Sequence, residues 1–114
     1  MPTFNQFDVV VVPFPYTDCT TLKRRPALVL SDPNDFNNRI GQSVMAMITS
    51  AKHSNWPLDI EITDLDSAGL PAPSLVRMKL FTLDHRLIIR SCGTLSDSDQ
   101  RQAQNTLSRL FNST

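Results

Sequence analysis

At 114 residues, with 40% hydrophobic and 19% charged residues, the chain is long enough for one domain around one modest core and too apolar to be disordered. Eleven Lys and Arg balance eleven Asp and Glu, so the formal net charge is zero and any nucleic-acid site must be a local basic face. No stretch is apolar and long enough to span a bilayer, and the N-terminus carries no basic region followed by an apolar run, which points to a cytoplasmic protein.

Phe7 to Phe14 is a valine-rich run with apolar residues on both parities, and so predicts a strand covered on both faces. Pro13 and Pro15 end it. A polar loop from Pro15 to Lys23 then runs straight into the basic triplet Lys23-Arg24-Arg25 before Pro26. Pro26 has no N–H, so it fits best as the first residue of a second strand, Pro26 to Ser31. It also pushes Arg25 into an extended conformation. Arg25 is then expected at a strand mouth, with Lys23 and Arg24 on the loop behind it. A guanidinium held this way can meet a phosphate in a defined geometry. Taken alone, the triplet reads first as a solubilising loop end.

Asp32 to Asn38 is rich in turn and cap residues and predicts at most a short helical turn. Ser43 to Ser50 is a third strand whose apolar pattern stops at Thr49 and Ser50, leaving a polar tip followed by Lys52 and His53. Leu58 to Thr63 alternates strictly and predicts an edge strand with Asp59 and Glu61 outward, apart from any phosphate-binding face. Asp64 to Pro73 reads as a turn-rich connection. A short strand around Val76, Arg77 and Met78 follows, then a tight turn over Thr82 to Arg86 and a last strand from Leu87 to Thr94. Ser96 opens a helix. Ser96 and Asp99 have capping-box spacing, and Ala103, Leu107, Leu110 and Phe111 form one apolar stripe. Cys19 and Cys92 match neither a metal spacing nor a disulfide framework and are expected as free thiols. The sum is a small curled antiparallel barrel, mainly β, with a C-terminal helix against it.

The order of the short segments is more telling than any one of them. A valine-rich strand ends in Pro-Phe-Pro, and Lys-Arg-Arg-Pro-Ala-Leu-Val-Leu-Ser follows. Then come Met-Ile-Thr-Ser, Leu-Pro-Ala-Pro-Ser-Leu-Val-Arg, Phe-Thr-Leu-Asp and Gly-Thr-Leu-Ser. From about Phe7 to Leu110 this succession resembles the MazF/PemK (Kid) family of toxin endoribonucleases from type II toxin–antitoxin pairs. The resemblance implies one toxin domain over residues 1–114 with an SH3-like barrel fold, acting as a homodimer. It implies cleavage of single-stranded RNA, with some sequence preference, by 2′-hydroxyl attack. No metal and no cofactor would take part, and a cognate antitoxin would neutralise the protein. Arg25 matches the arginine of the family's Arg-Pro motif, and Thr49, with Ser50 beside it, the threonine of its Ile-Thr-Ser motif. These three become the expected catalytic residues.

Arg77 matches a further family arginine. With Lys23, Arg24, Lys52 and Lys79 it would form an RNA-binding rim, where Phe14, Tyr16 or Trp56 could stack an unpaired base. Two positions depart from the family pattern. Lys79 stands where some members carry an acid, and Phe81 where others carry an arginine. The general base is therefore unassigned, with His53 and His85 as candidates by pKa and as ordinary turn residues otherwise. Two other readings stay open: a gyrase-poison-like protein-binding toxin on the same fold, and a silent barrel that only binds RNA or antitoxin.

Overall fold

The computed structural model describes residues 4–14, 23–52 and 56–112, with the side chains of Phe14 and Lys23 outside the description. Tyr16, Cys19 and His53 therefore lie outside the described residues. Strands β1 (Asp8–Phe14), β2 (Lys23–Val29), β3 (Gln42–Ser50), β4 (Ile60–Glu61), β5 (Ser74–Asp84) and β6 (Arg90–Thr94) form one antiparallel sheet in the order β4-β5-β3-β2-β1-β6. Helical segments complete the description: Pro33–Asn37 running directly into α1 (Asn38–Ile40), α2 (Leu65–Ala68), a single turn at His85–Leu87 and α3 (Asp97–Leu110); the first run is longer than the short helical turn expected at Asp32 to Asn38.

The valines on both parities of β1 are buried on both faces, as their pattern predicts. Val9 joins Leu28, Ala46, Ile48, Val76 and Ala103 in one cluster beneath α3. Val10 and Val12 join Ala27, Val29, Met45, Phe81 and Leu83 in a second, capped by Phe4. Phe4 is held by the buried Asn37, whose Nδ2 donates to the Phe4 carbonyl at 2.8 Å. Phe81, one of the departures from the family pattern, is thus a core residue.

Several element boundaries differ from expectation. The edge strand shrinks to Ile60–Glu61. The short strand around Val76 grows to the 11 residues of β5, absorbing Thr82 to Asp84, and the tight turn moves to His85–Leu87. β5 grows because a bulge leaves Met78 and Lys79 opposite the step between Ala46 and Met47. Two inserted residues preserve the alternation, so the strand continues with its faces unchanged. β6 begins only at Arg90. The expected connection at Asp64 contains α2, capped by the Asp64 side chain, which accepts from Ser67 N at 3.0 Å.

α2 is pressed onto β6 through two glycines. A Cβ on Gly69, whose φ is +72°, would lie 2.1 Å from the Cys92 carbonyl oxygen, and one on Gly93 would lie 2.3 Å from that of Ser67. Backbone occupies both spaces, so neither neighbour can rotate away. Gly93→Ala is expected to lift α2 off β6 at a cost of about 1–3 kcal/mol, visible as a lower midpoint in urea.

His85 closes the far end of β3. Its Nε2 lies 2.6 Å from the Oγ of the buried Ser43, and its ring meets Phe4 edge-on with centroids 4.8 Å apart. Burial lowers its pKa below 6.5, with Asp84 partly opposing. The folded protein therefore binds the His85 proton less readily than the unfolded chain. That stability contribution is complete above pH 6.5 and fades as pH falls through the folded value. Thermal unfolding between pH 7.5 and 5 should show this loss, and His85→Gln should flatten it.

Candidate nucleic-acid interface

Pro26 lies inside β2 rather than at its start. β2 begins at Lys23 because Phe14, Pro13 and Val12 of β1 pair with Lys23, Arg24 and Arg25. On the other side, pairing of β2 with β3 begins only at Ala27↔Met47. The Leu30 N–H donates to Val44 O of β3 at 2.8 Å, whereas Val29 O accepts from Phe7 N. Even-numbered residues of β2 thus turn their N–H toward β3. Pro26 is one of them and has no N–H to give, so the bond toward Ile48 cannot form.

The ladder stops there while both strands run on. The overhang of β2 is held by β1. That of β3 is held by β5, through Ile48↔Val76, Thr49↔Leu75 and Ser50↔Ser74. An open seam results. The β2–β3 register, carried two residues past Ala27↔Met47, sets Arg25 opposite Thr49 on one side of the sheet.

A cavity of about 420 Å³ sits at this seam, bordered by Arg24, Arg25, Pro26, Ile48, Thr49 and Ser50 and by the Leu70–Ser74 segment. Arg25 and Thr49 are partly exposed, and Arg24 and Ser50 are exposed. The structure thus brings Arg24, Arg25, Thr49 and Ser50 to one concave surface. Lys52 is also exposed, and its backbone N–H reaches Ser50 Oγ at 3.4 Å. Lys23 opens β2 in the same overhang. The wall formed by Leu70, Pro71, Ala72 and Pro73 was not singled out as lining from the sequence. It lies there because α2 docks on β6 and the chain must then return to β5 across the seam.

Arg77 and Lys79 are not part of that concave surface. The Arg77 guanidinium is bound by Asp59 in a two-pronged ion pair, Nη2 to Oδ2 at 3.0 Å and Nε to Oδ1 at 3.3 Å, with the side chains 17% and 5% exposed. Those hydrogen bonds raise its pKa further above its ordinary value. The expectation that the acids after Leu58 stand apart from the basic rim is therefore corrected for Asp59. Ile60↔Val76 pairing, continued by one residue, sets Asp59 across from Arg77. Trp56 packs on both cations, its ring centre 5.6 Å from Arg77 Cζ and 5.3 Å from Lys79 Nζ. The indole is still 42% exposed. His85 sits at the opposite end of β3 from Thr49, and no described histidine borders the cavity.

No curated protein matches the chain in sequence. Among solved structures, it resembles a mycobacterial endoribonuclease in complex with its cognate antitoxin, with TM-score 0.77 and 13% identity over 100% of this chain and 98% of that one. A MazE–MazF complex from Deinococcus radiodurans gives TM-score 0.76 and 20% identity, covering 99% and 100%. The Mycobacterium tuberculosis toxin MazF-mt6 gives 0.73 and 18%, covering 94% and 98%. At these identities the structural likeness establishes the fold. The sequence itself decides the family, for residues 5–111 match the profile of the PemK-like, MazF-like toxins of type II toxin–antitoxin systems, and the chain belongs to that family.

Proposed function

We propose that this protein is an endoribonuclease toxin that cuts single-stranded RNA, with sequence preference and without a metal ion, and that a cognate antitoxin neutralises it. The observation that carries the reading is the seam at Pro26, where Arg25 and Thr49, on two rigid strands, border the same open cavity. Family membership and the endoribonuclease and MazE–MazF complexes among its structural relatives support it.

In the reaction, the ribose 2′-oxygen bonds to the adjacent phosphorus and the bond to the 5′-oxygen breaks. The 2′-hydroxyl gives up its proton and the 5′-oxygen gains one. The products are a 2′,3′-cyclic phosphate and a 5′-hydroxyl. Negative charge builds on the non-bridging oxygens in the transition state, and fixed donors aimed there lower the barrier. Arg25 supplies two parallel N–H donors and Thr49 one hydroxyl. Arginine stays protonated at neutral pH, so Arg25 acts by charge and hydrogen bonding rather than as a proton shuttle. The Arg25 fork as a whole is worth about 3–4 kcal/mol and the neutral Thr49 hydroxyl about 1.4 kcal/mol or more. Arg24, Lys52 and Lys23 neutralise flanking phosphates. The acidic segment of an antitoxin would compete for the same cations. Trp56, exposed beside Lys79, offers a face to an unpaired base.

The test is incubation of a single-stranded transcript with the protein in EDTA, with the ends of the products identified chemically. Cleavage leaving a 5′-hydroxyl and a cyclic phosphate is expected. Activity abolished by EDTA, or RNA bound tightly and left whole, overturns the proposal.

A further inference from the structure

A second cavity, of about 280 Å³, shares Arg24, Arg25, Pro26, Leu70 and Pro71 with the first and adds Val11, Gly69, Ile89, Arg90 and Cys92. The register explains the continuity. Arg90 pairs with Val11, and Val11 pairs with Pro26. The β2–β3 register, carried one residue past Ala27↔Met47, sets Pro26 beside Ile48. These four residues form one transverse row across β6, β1, β2 and β3, on one face of the sheet.

The row gives an apolar floor of Val11, Pro26 and Ile48, roofed by Leu70 and Pro71, running under both cavities. Arg90 closes one end and Ser50 the other, with Arg24 on the same face between them; Arg25 and Thr49, one residue out of phase with this row, alternate to the other face and border the cavities where the seam is open. Arg90 is exposed. Among the described residues no carboxylate borders either cavity, and the Arg90 guanidinium meets the Cys92 sulfur, Nη1 to Sγ at 3.7 Å. Among the described residues its charge meets no carboxylate and can take an anion, whereas that of Arg77 is committed to Asp59. An apolar floor suits the face of a base, and a guanidinium at its end suits the phosphate beyond it.

We propose that this second cavity is a nucleotide subsite, in which Arg90 holds a phosphate flanking the scissile one and so positions the RNA across Arg25 and Thr49. The inference rests on the endoribonuclease reading of the first cavity. Arg90 is a positioning residue here, and Cys92 is a natural reporter in its wall.

The experiment uses a pool of short random-sequence RNAs methylated at every 2′-oxygen, which can bind but cannot be cut, in a Cys19→Ser background that leaves Cys92 as the only thiol. The pool should slow alkylation of Cys92 by N-ethylmaleimide several-fold. Arg90→Ala should remove that protection, raise the Kd several-fold and reduce the salt slope of log K by about 0.7, the share of one phosphate on a single strand. Arg90→Lys should restore the slope. A merely structural role would change the Kd without changing the slope. Should Arg25→Ala abolish cleavage of ordinary RNA while Arg90→Ala leaves Kd, slope and thiol protection unaltered, the subsite is wrong and the nuclease reading stands. A wild-type chain that neither cleaves RNA nor protects Cys92 overturns both.

Discussion

Arg25→Ala is expected to slow RNA cleavage by about 10²- to 10³-fold, chiefly in kcat, while thermal stability is nearly unchanged. The guanidinium sits on an overhang of β2 held by β1 alone, partly exposed, so its loss removes little packing. What it removes is a two-pronged donor aimed at charge that exists only in the transition state, and such losses fall on kcat rather than KM. Arg25→Lys keeps the charge and loses the fork, so it should recover only a small part of the rate. Thr49→Ala should cost about tenfold or more, as befits a single neutral donor. Because both groups serve one phosphate, the double variant should lose less than the product of the two. Single-turnover cleavage of one RNA by the four proteins measures all of this. Arg25→Ala cleaving within about threefold of wild type would remove Arg25 from the mechanism.

The largest expected loss of stability lies far from the seam. Asp99→Ala should cost roughly 3 kcal/mol, a Tm drop on the order of 10 °C. The sequence reads Asp99 as the last residue of a capping box, at helix position N3, and half of that box is present: Ser96 Oγ accepts from Asp99 N at 3.3 Å. The Asp99 carboxylate, however, reaches away from its own helix. It accepts from Thr63 Oγ1 at 2.7 Å, from Thr63 N at 3.1 and 3.2 Å, and from Asp64 N at 3.1 Å, and the residue is 1% exposed. It bolts α3 to the turn after β4. Removing it strands two backbone N–H groups and a hydroxyl. Asp99→Asn should be nearly as damaging, because the amide turns one acceptor into a donor facing donors. Ser96→Ala, which costs only a cap, should lose about 1 kcal/mol. Equal losses for Ser96→Ala and Asp99→Ala in thermal melts would contradict this division of labour.

Much of this molecule is local and therefore legible in its sequence. Valines on both parities need two covered faces, and β1 has them. A Ser-x-x-Asp start and a stripe through Ala103 and Leu107 make a helix with one buried side, and α3 is that helix. Pro26 is legible as a residue with no N–H to give, but it reads as a strand start, and the seam beside it is not foreseen. Arg25 and Thr49 are singled out by their match to family motifs rather than by local backbone chemistry.

What could not be read depends on which distant strands come to lie side by side. Pro26 withholds a bond, but only the order β1-β2-β3-β5 decides that the gap opens between two overhangs braced from outside. Arg77 resembles the other cations in sequence, and its neutralisation by Asp59 exists only because β4 joins the edge of β5 in one register. Asp99 satisfies the same cap pattern whether or not Thr63 is near. The row from Arg90 to Ile48 joins residues 42 positions apart or more at its ends, and no local propensity encodes that. Side-chain type and backbone chemistry act over a few ångströms along the chain, whereas charge neutralisation, burial and the continuity of a groove are set by neighbours that the folded sheet alone supplies.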